Sequence, residues 1–175
     1  MKSRVIWFLC LFVLLLPVAG VQARELLVRA SDVVAIRPSV SSQAIRLLIK
    51  FPLPDILVRK SVDFACAEFD VSCTGVKGAV SLEAFRVTTA WDATSVGWSG
   101  PWLKDGGDWD GEMSADWVVP AGEGKTVYLD VTDFVNGWLK EPSRNFGILV
   151  KVSEPSLGTF STGRSQELPK LRILY

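Results

Sequence analysis

Hydrophobic and polar residues alternate in several short stretches of this chain, and the clearest run lies between residues 127 and 152. Its apolar positions form three groups: 127, 129 and 131; 134, 135, 138 and 139; and 146, 148, 150 and 152. A period of two, then one near 3.6, then two again predicts a strand, a short helix and a strand. We expect the helix near residues 132–140, with Thr132 as its N-cap.

The same alternation predicts short strands along most of the remaining chain. They are expected at residues 25–30, 33–36, 44–51, 62–69, 79–89, 159–162 and 170–175. The stretch 91–123, rich in Gly, Trp and Asp, is expected to be irregular. Since no crossover helix of ten residues or more is present for a parallel sheet, the pattern predicts an all-β fold, an antiparallel two-sheet sandwich with one helix.

The first 23 residues have the features of a secretory signal. A positively charged start at Lys2 and Arg4 precedes an apolar run over residues 5–18, and small residues lead up to Ala23. These features predict export and cleavage after Ala23, which leaves a single domain over residues 24–175.

An uncleaved membrane anchor is the alternative, because the apolar run approaches the roughly 17 to 25 residues that span a bilayer. Pro17 and Gly20 argue against it. Cleavage removes two of the 19 basic residues and none of the 19 acidic ones, which leaves a net charge of −2. We therefore expect a secreted, extracellular or periplasmic protein that binds neither nucleic acid nor, once the signal is cleaved, a membrane.

Cys66 and Cys73 are the cysteines that remain after cleavage. Exported proteins meet an oxidising compartment, so the pair is expected to form a disulfide, with a stabilisation of about 2.5 kcal/mol for so short a loop. A metal or redox pair is the alternative. The absence of histidine and the six-residue gap between the two cysteines favour the disulfide.

The chain has no histidine, which excludes Ser-His-Asp and Cys-His catalysis and zinc sites built on histidine. Glycoside hydrolysis needs only two suitably spaced carboxylates, and Glu83, Asp92 and Glu112 stay open for that role. None of them lies in a signature that specifies a reacting geometry. The sequence therefore favours a protein that is not an enzyme.

Six of the seven tryptophans lie outside the signal, and four of these fall in one short window: Trp98, Trp102, Trp109 and Trp117. An indole held in a loop can stack on the C–H face of a sugar ring. Trp102 and Trp109 lie among Gly, Lys and Asp, where burial is hard to arrange, so we expect them to bind a ligand; a structural role in closing the loop is the alternative. Trp91, Trp98 and Trp138 lie beside strands and are expected to pack in the core.

The segment 105–112 contains four carboxylates among glycines, including Asp105, Asp108 and Asp110. Calcium takes six to eight oxygen ligands, so such a loop is a candidate for a structural calcium site. A solvated acidic turn is the alternative. No cofactor is required by any other feature of the chain.

Five basic residues alternate with apolar ones in the predicted strands: Arg46, Lys50, Arg86, Lys151 and Arg172. If these strands are neighbours, the five cations form a stripe on one sheet face that suits an acidic polysaccharide. Ordinary polar decoration of a solvated face is the alternative.

Several ordered segments resemble those of DNRLRE domains, also classed as carbohydrate-binding module family 96. They are residues 48–53, 87–98, 106–110, 129–132, 135–138, 145–149 and 169–175. The chain differs from the usual family sequence at Ala93-Thr94 and Gly97. The resemblance implies a jelly-roll-like sandwich of secreted bacterial and archaeal proteins, with polysaccharide binding attributed to some members.

These observations together predict a secreted, non-catalytic module that binds a polysaccharide or cell-surface glycan. A structural or adhesive module of the cell envelope or extracellular matrix, with no sugar binding, is the alternative from another class. A small polysaccharide-degrading enzyme is the third hypothesis.

Overall fold

The computed structural model describes residues 23–39, 44–74, 78–152, 159–162 and 167–175. All of the predicted signal except Ala23 lies outside the described residues. The strands are β1 (Glu25–Arg29), β2 (Asp32–Ile36), β3 (Arg46–Lys50), β4 (Phe64–Thr74), β5 (Ala79–Val87), β6 (Trp109–Pro120), β7 (Gly122–Asp130), β8 (Ile148–Val152), β9 (Thr159–Thr162) and β10 (Lys170–Leu174), with one α-helix, α1 (Thr132–Lys140).

The strands form two antiparallel sheets, so the predicted all-β sandwich is confirmed. Sheet A has the order β1-β10-β4-β7, with β9 also pairing with β4, and sheet B has the order β2-β3-β8-β5-β6. The first and last strands are neighbours and, β2 and β9 apart, the chain crosses to the other sheet at every connection except the one between β5 and β6. This is a jelly-roll order, in which β2 and β9 are additions to the eight strands such a fold needs. No helix among the described residues is long and apolar enough to cross a membrane.

The helix predicted near residues 132–140 is α1. It buries Phe134, Val135 and Trp138 in the core between the sheets, and Asn136 exchanges two hydrogen bonds of 3.0 Å with the backbone of Val62. The sequence predicted Thr132 as the N-cap of this helix, and that prediction is wrong. The cap is Val131, whereas the Thr132 hydroxyl accepts a hydrogen bond from the backbone N–H of Ala65.

The sequence did not predict β6, which occupies residues expected to be irregular. It pairs with β5 from Ala79↔Pro120 to Val87↔Trp109, with one register shift. Edge strands carry many polar residues, and their apolar alternation is correspondingly weak.

The structure contains two apolar cores. The larger lies between the sheets, and the smaller, here called the outer core, covers the solvent side of sheet B. The buried members of the outer core are Ile36, Leu48, Phe85, Val87, Trp91, Trp102 and Leu149. The connection between β5 and β6, residues 88–108, supplies its cover.

The predicted disulfide between Cys66 and Cys73 is wrong. Both residues lie on β4, where both thiols are free. The seven residue steps from Cys66 to Cys73 along the strand place their Cα atoms about 23 Å apart, whereas a disulfide needs less than about 7 Å. Burial raises the pKa of both thiols, that of Cys66 to about 11 with help from the carboxylates of Glu68 and Asp130. Thiols in such surroundings are unreactive.

Candidate functional site

The connection over residues 88–108 is fixed onto sheet B by the carboxylate of Asp108. Its oxygens accept hydrogen bonds from the backbone N–H groups of Leu103 (2.8 Å) and Lys104 (3.1 Å) and from the hydroxyl of Thr89 (2.9 Å). Burial alone would raise the pKa of Asp108, but these donors stabilise the charged form and hold the pKa below its usual value. Asp108 is therefore a residue that shapes the loop.

Trp102 and Trp91 face into the outer core. Trp102 is 8% exposed and donates a 2.8 Å hydrogen bond from Nε1 to the carbonyl of Gly97. Trp91 is 6% exposed and donates likewise to the carbonyl of Phe146 at 2.7 Å. The expectation that Trp102 would be hard to bury is wrong, because its ring forms part of the apolar cover, in keeping with the alternative structural role in the loop. The packing role expected for Trp91 is confirmed.

Arg46 lies between two indole rings at the edge of this cover. Its Cζ is 4.6 Å from the ring centroid of Trp98 and 4.9 Å from that of Trp109, and its Nη1 donates to the backbone carbonyl of Asp105 at 3.2 Å. Gly106, with φ of 85°, passes so close to the guanidinium that a side chain there would overlap it. The loop backbone thus closes around Arg46 and fixes its position.

The other two cations of the site also lie against aromatic rings. Lys151 Nζ is 3.9 Å from the ring centroid of Trp109 and 4.2 Å from that of Phe85. Lys50 Nζ is 4.3 Å from the centroid of Trp91 and donates to the Trp91 carbonyl at 3.1 Å. Cation–π contacts of this kind hold long, flexible side chains in defined places.

These residues form one surface, which we call the cation–indole platform. Its members are Arg46, Lys50 and Lys151 with Trp91, Trp98 and Trp109. Trp98 and Trp109 are half-buried, so the packing role predicted for Trp98 is incomplete. Trp98 could have been predicted as a site residue, because it is close to Trp102 and Trp109 in sequence. Its contact with Arg46 of β3 could not have been predicted in this way.

Two of the platform cations are direct neighbours across the sheet. Arg46 is opposite Lys151 in the β3–β8 register, and Lys151 is opposite Glu83 in the β8–β5 register. Burial lowers the pKa of both cations, and the nearby Arg46 lowers that of Lys151 further, against the opposing effect of Glu83. Among the described residues no carboxylate reaches ion-pair distance of Arg46, Lys50 or Lys151.

The two remaining cations of the predicted stripe lie elsewhere and are neutralised. Arg86 forms a 2.6 Å ion pair with Asp110, and its guanidinium lies beside Gly137 of α1. Arg172 is on sheet A, where it forms ion pairs with Glu25 and Glu68. The structure thus brings three of the five predicted cations together, and those three are the ones without an ion-pair partner in the described part of the chain.

The acids predicted to hold calcium do not converge. Asp108 is engaged by the donors of its own loop, Asp110 pairs with Arg86, and Asp105 contributes its backbone carbonyl to Arg46. No group of three or more acidic or cysteine side chains that could hold a metal ion occurs within the described residues.

Two of the three acids considered for hydrolysis, Glu83 and Asp92, have described surroundings. Glu83 is exposed beside Lys151 and opposite Asp116. Asp92 accepts hydrogen bonds from the backbone N–H and the hydroxyl of Thr94, which lower its pKa. The side chain of Glu112 lies outside the described set.

A comparison with protein-family models gave no match to the chain, and a comparison with curated proteins found no similar protein.

Proposed function

We propose that this protein is an exported, non-catalytic module that binds an acidic polysaccharide or cell-surface glycan on the cation–indole platform. The observation that carries the proposal is the placement of Arg46 directly opposite Lys151, with Lys50 on the same face and no ion-pair partner for any of the three in the described residues. Like charges placed opposite each other destabilise a sheet. An anionic ligand would remove that repulsion.

The platform suits ionic and hydrogen-bonding recognition better than ring stacking. Arg46 and Lys151 both lie over the indole of Trp109, so the cations already occupy ring surface on which a sugar would stack. The guanidinium of Arg46 can donate two parallel hydrogen bonds to one carboxylate or sulfate group. The indoles act mainly by holding the cations in place.

The spacing of the cations favours a polymer. Arg46 and Lys50 are four residues apart on β3, which places their Cα atoms about 13 Å apart along the strand. One small anion cannot contact both, whereas a chain with repeated negative groups can. The resemblance to DNRLRE domains supports the same ligand class, and the predicted signal supports export. The protein requires no cofactor for this function.

Affinity electrophoresis in gels that contain polygalacturonate, alginate or a neutral glucan tests the proposal. We expect retardation in the acidic gels, lost progressively with added salt, and none in the neutral gel. The double variant Arg46→Gln, Lys151→Gln should bind about five- to thirtyfold more weakly, since two contacts of about 0.5 to 1 kcal/mol each are removed.

The matched control is Arg29→Gln with Lys125→Gln, which changes the net charge equally at exposed sites away from the platform. It should keep most of the affinity. Equal losses in both double variants would reduce the effect to net charge and contradict a platform site. Trp109→Ala should weaken binding as well, because this ring positions both Arg46 and Lys151.

A structural or adhesive role is the second candidate, favoured by an exposed aromatic pair. Trp117 and Tyr128 contact each other edge to face, with ring centroids 5.8 Å apart, at the edge where β6 and β7 lie, and both side chains are exposed. Exposed apolar side chains in one place are typical of protein contacts. Retention in no polysaccharide gel, together with self-association that Trp117→Ser abolishes, would favour this role.

A further inference from the structure

A cavity lies at the end of sheet B where β5 ends and β8 begins. Its volume is about 420 Å³, and its wall includes Arg86, Val87, Thr88, Arg144 and Phe146. This volume falls within the roughly 300 to 1,000 Å³ of sites that take small organic ligands. The cavity can therefore hold one sugar ring.

The cavity is next to the Lys50 end of the cation–indole platform. The backbone N–H of Val87 donates to the carbonyl of Gly147 at 3.0 Å, and a side chain on Gly147 would overlap the backbone of β3. The carbonyl of Phe146 accepts the indole N–H of Trp91 at 2.7 Å, and Lys50 Nζ lies 4.3 Å from a ring centroid of Trp91. A glycan on the platform is thus within reach of the cavity.

Arg86 is held in a fixed position in this wall. Its Nη2 donates to Oδ2 of Asp110 at 2.6 Å, and its Nη1 lies so close to Gly137 of α1 that a side chain at position 137 would displace it. The side chain of Arg86 is nevertheless 24% exposed, so it remains accessible to a ligand. A cation that is fixed in advance loses little conformational freedom when a ligand binds.

Arg144 supplies a second cation, which is adjustable. Its Nε donates to a carboxylate oxygen of Glu141 at 2.7 Å, with the two side chains 70% and 59% exposed. Ion pairs as exposed as this one contribute little to stability, so a ligand can replace this one readily. The two terminal amino groups of Arg144 have no acceptor within the described part of the chain.

The wall offers donors and apolar surface but, in its described residues, no acid. A guanidinium can donate two parallel hydrogen bonds to one carboxylate or sulfate group. The hydroxyl of Thr88 can pair with a sugar hydroxyl, and the half-buried ring of Phe146 suits the C–H groups of a sugar ring. Asp110 and Glu141 offset part of the positive charge, but neither belongs to the wall.

We propose that this cavity binds one acidic sugar unit, a pyranose that carries a carboxylate or sulfate group. Arg86 is the fixed donor, and Arg144 is the donor that adjusts to the ligand. The choice of a sugar rests on the proposed function, whereas the anionic chemistry rests on the wall itself. A free acidic monosaccharide should bind here, although it is too small to bridge Arg46 and Lys50 on the platform.

Titration of the ¹⁵N-labelled protein with galacturonate, galactose and acetate tests the proposal, with the backbone amide signals of Thr88 and Phe146 as the readout. We expect saturable shifts with galacturonate. Galactose should bind at least about tenfold more weakly, because it lacks the charge-assisted hydrogen bonds, and acetate should bind more weakly because it lacks the ring. The platform variant Arg46→Gln, Lys151→Gln should respond as the unmodified protein does.

Two pairs of variants separate binding in the cavity from general effects. Arg144→Gln should weaken galacturonate binding about two- to fivefold, whereas Arg29→Gln, an equal change of charge at an exposed position of sheet A, should not. Thr88→Trp fills the cavity and should abolish the shift of Phe146. Ala90→Trp, at an exposed position outside the described wall, should preserve it.

Equal affinity for galacturonate and galactose would overturn the anionic chemistry of the site, and equal affinity for galacturonate and acetate would overturn the choice of a sugar. Shifts that survive Thr88→Trp, or that Arg46→Gln, Lys151→Gln abolishes, would place the ligand elsewhere. If galacturonate causes no saturable shift while acidic gels still retard the protein, the cavity proposal fails and the platform function stands. Saturable shifts without retardation would give the reverse result.

Discussion

Arg46 and Lys151 should repel each other measurably in the free protein. We expect this repulsion to emerge from a double-mutant cycle built on Arg46→Gln, Lys151→Gln and the combination of the two. Each single substitution loses its own cation–π contacts, worth about 0.5 to 1 kcal/mol each, but relieves the repulsion. The double variant relieves the same repulsion only once. It should therefore be less stable than the sum of the two single effects.

The size of the coupling follows from the ring they share. Arg46 Cζ and Lys151 Nζ lie 4.9 and 3.9 Å from the ring centroid of Trp109, which limits the separation of the two charges. Even at the greatest separation that these distances allow, about 9 Å, the repulsion at an effective dielectric constant near 20 is about 1.8 kcal/mol before screening. Since the Debye length at physiological salt is about 8 Å, we expect a coupling of about 0.5 to 1 kcal/mol.

Urea unfolding of the four proteins at low and high salt measures this coupling. Arg46 with Lys50 is the control pair, because these residues are separated along β3 and should couple weakly. A coupling that is zero, that has the opposite sign, or that does not decrease with salt would refute the view that the platform holds unneutralised charge.

Four further predictions concern other parts of the structure. Burial lowers the pKa of Lys151 below its usual 10.5, so just below pH 10.5 the unfolded chain binds more protons than the folded protein does. The free energy of unfolding should therefore increase as the pH rises through this range, and Lys151→Gln should flatten the increase. The two cysteines of β4 should titrate with a thiol reagent only after unfolding, and a reductant should leave the Tm unchanged. Gly106→Ala should destabilise by about 1 to 2 kcal/mol in thermal unfolding, since φ is positive and Arg46 is displaced, whereas Gly111→Ala should have little effect. EDTA should leave the Tm unchanged, because the acids predicted to bind calcium do not converge; a fall of several degrees would show that the protein binds a structural metal ion.

The part of the fold that the sequence predicted is the part set by strong local alternation. Every inward-facing position of β3 and β8 carries a branched or aromatic apolar residue, as in Ile49 and Val150, and the period alone identifies both strands. The helix was equally readable, because its apolar spacing differs so clearly from that of the strands on either side. The sandwich then follows from the absence of crossover helices.

Pairing between distant segments could not be predicted in the same way. Residues 109–120 are polar and contain glycine, and only their contact with β5 makes them a strand. Likewise, alternation places Arg46 and Arg172 on strand faces but does not say which sheet each strand joins. The error with Cys66 and Cys73 has this origin, since the predicted strand ended at Phe69 and the real one continues to Thr74.

The burial of Trp102 depends on a feature that local patterns hide. Leu48, Phe85 and Leu149 are apolar at positions facing away from the main core, where a solvated sheet would carry polar residues. They require a cover, and residues 88–108 provide it with Trp91 and Trp102. Apolar residues at outward positions of a strand thus predict that a nearby Trp-rich loop packs over them, even where that loop is also a candidate site.

Stability and ligand recognition meet at the edge of that cover. Arg46, Lys50 and Lys151 place their charged ends over indole and phenyl rings that belong to the outer core or pack against it. The same side chains therefore seal an apolar cluster and present charge that no nearby carboxylate in the described residues neutralises within ion-pair distance. A surface optimised for stability alone would have placed an acid opposite Arg46, as Glu68 lies beside Arg172 on sheet A. The contrast between the two sheets is the strongest reason to seek an anionic ligand for sheet B.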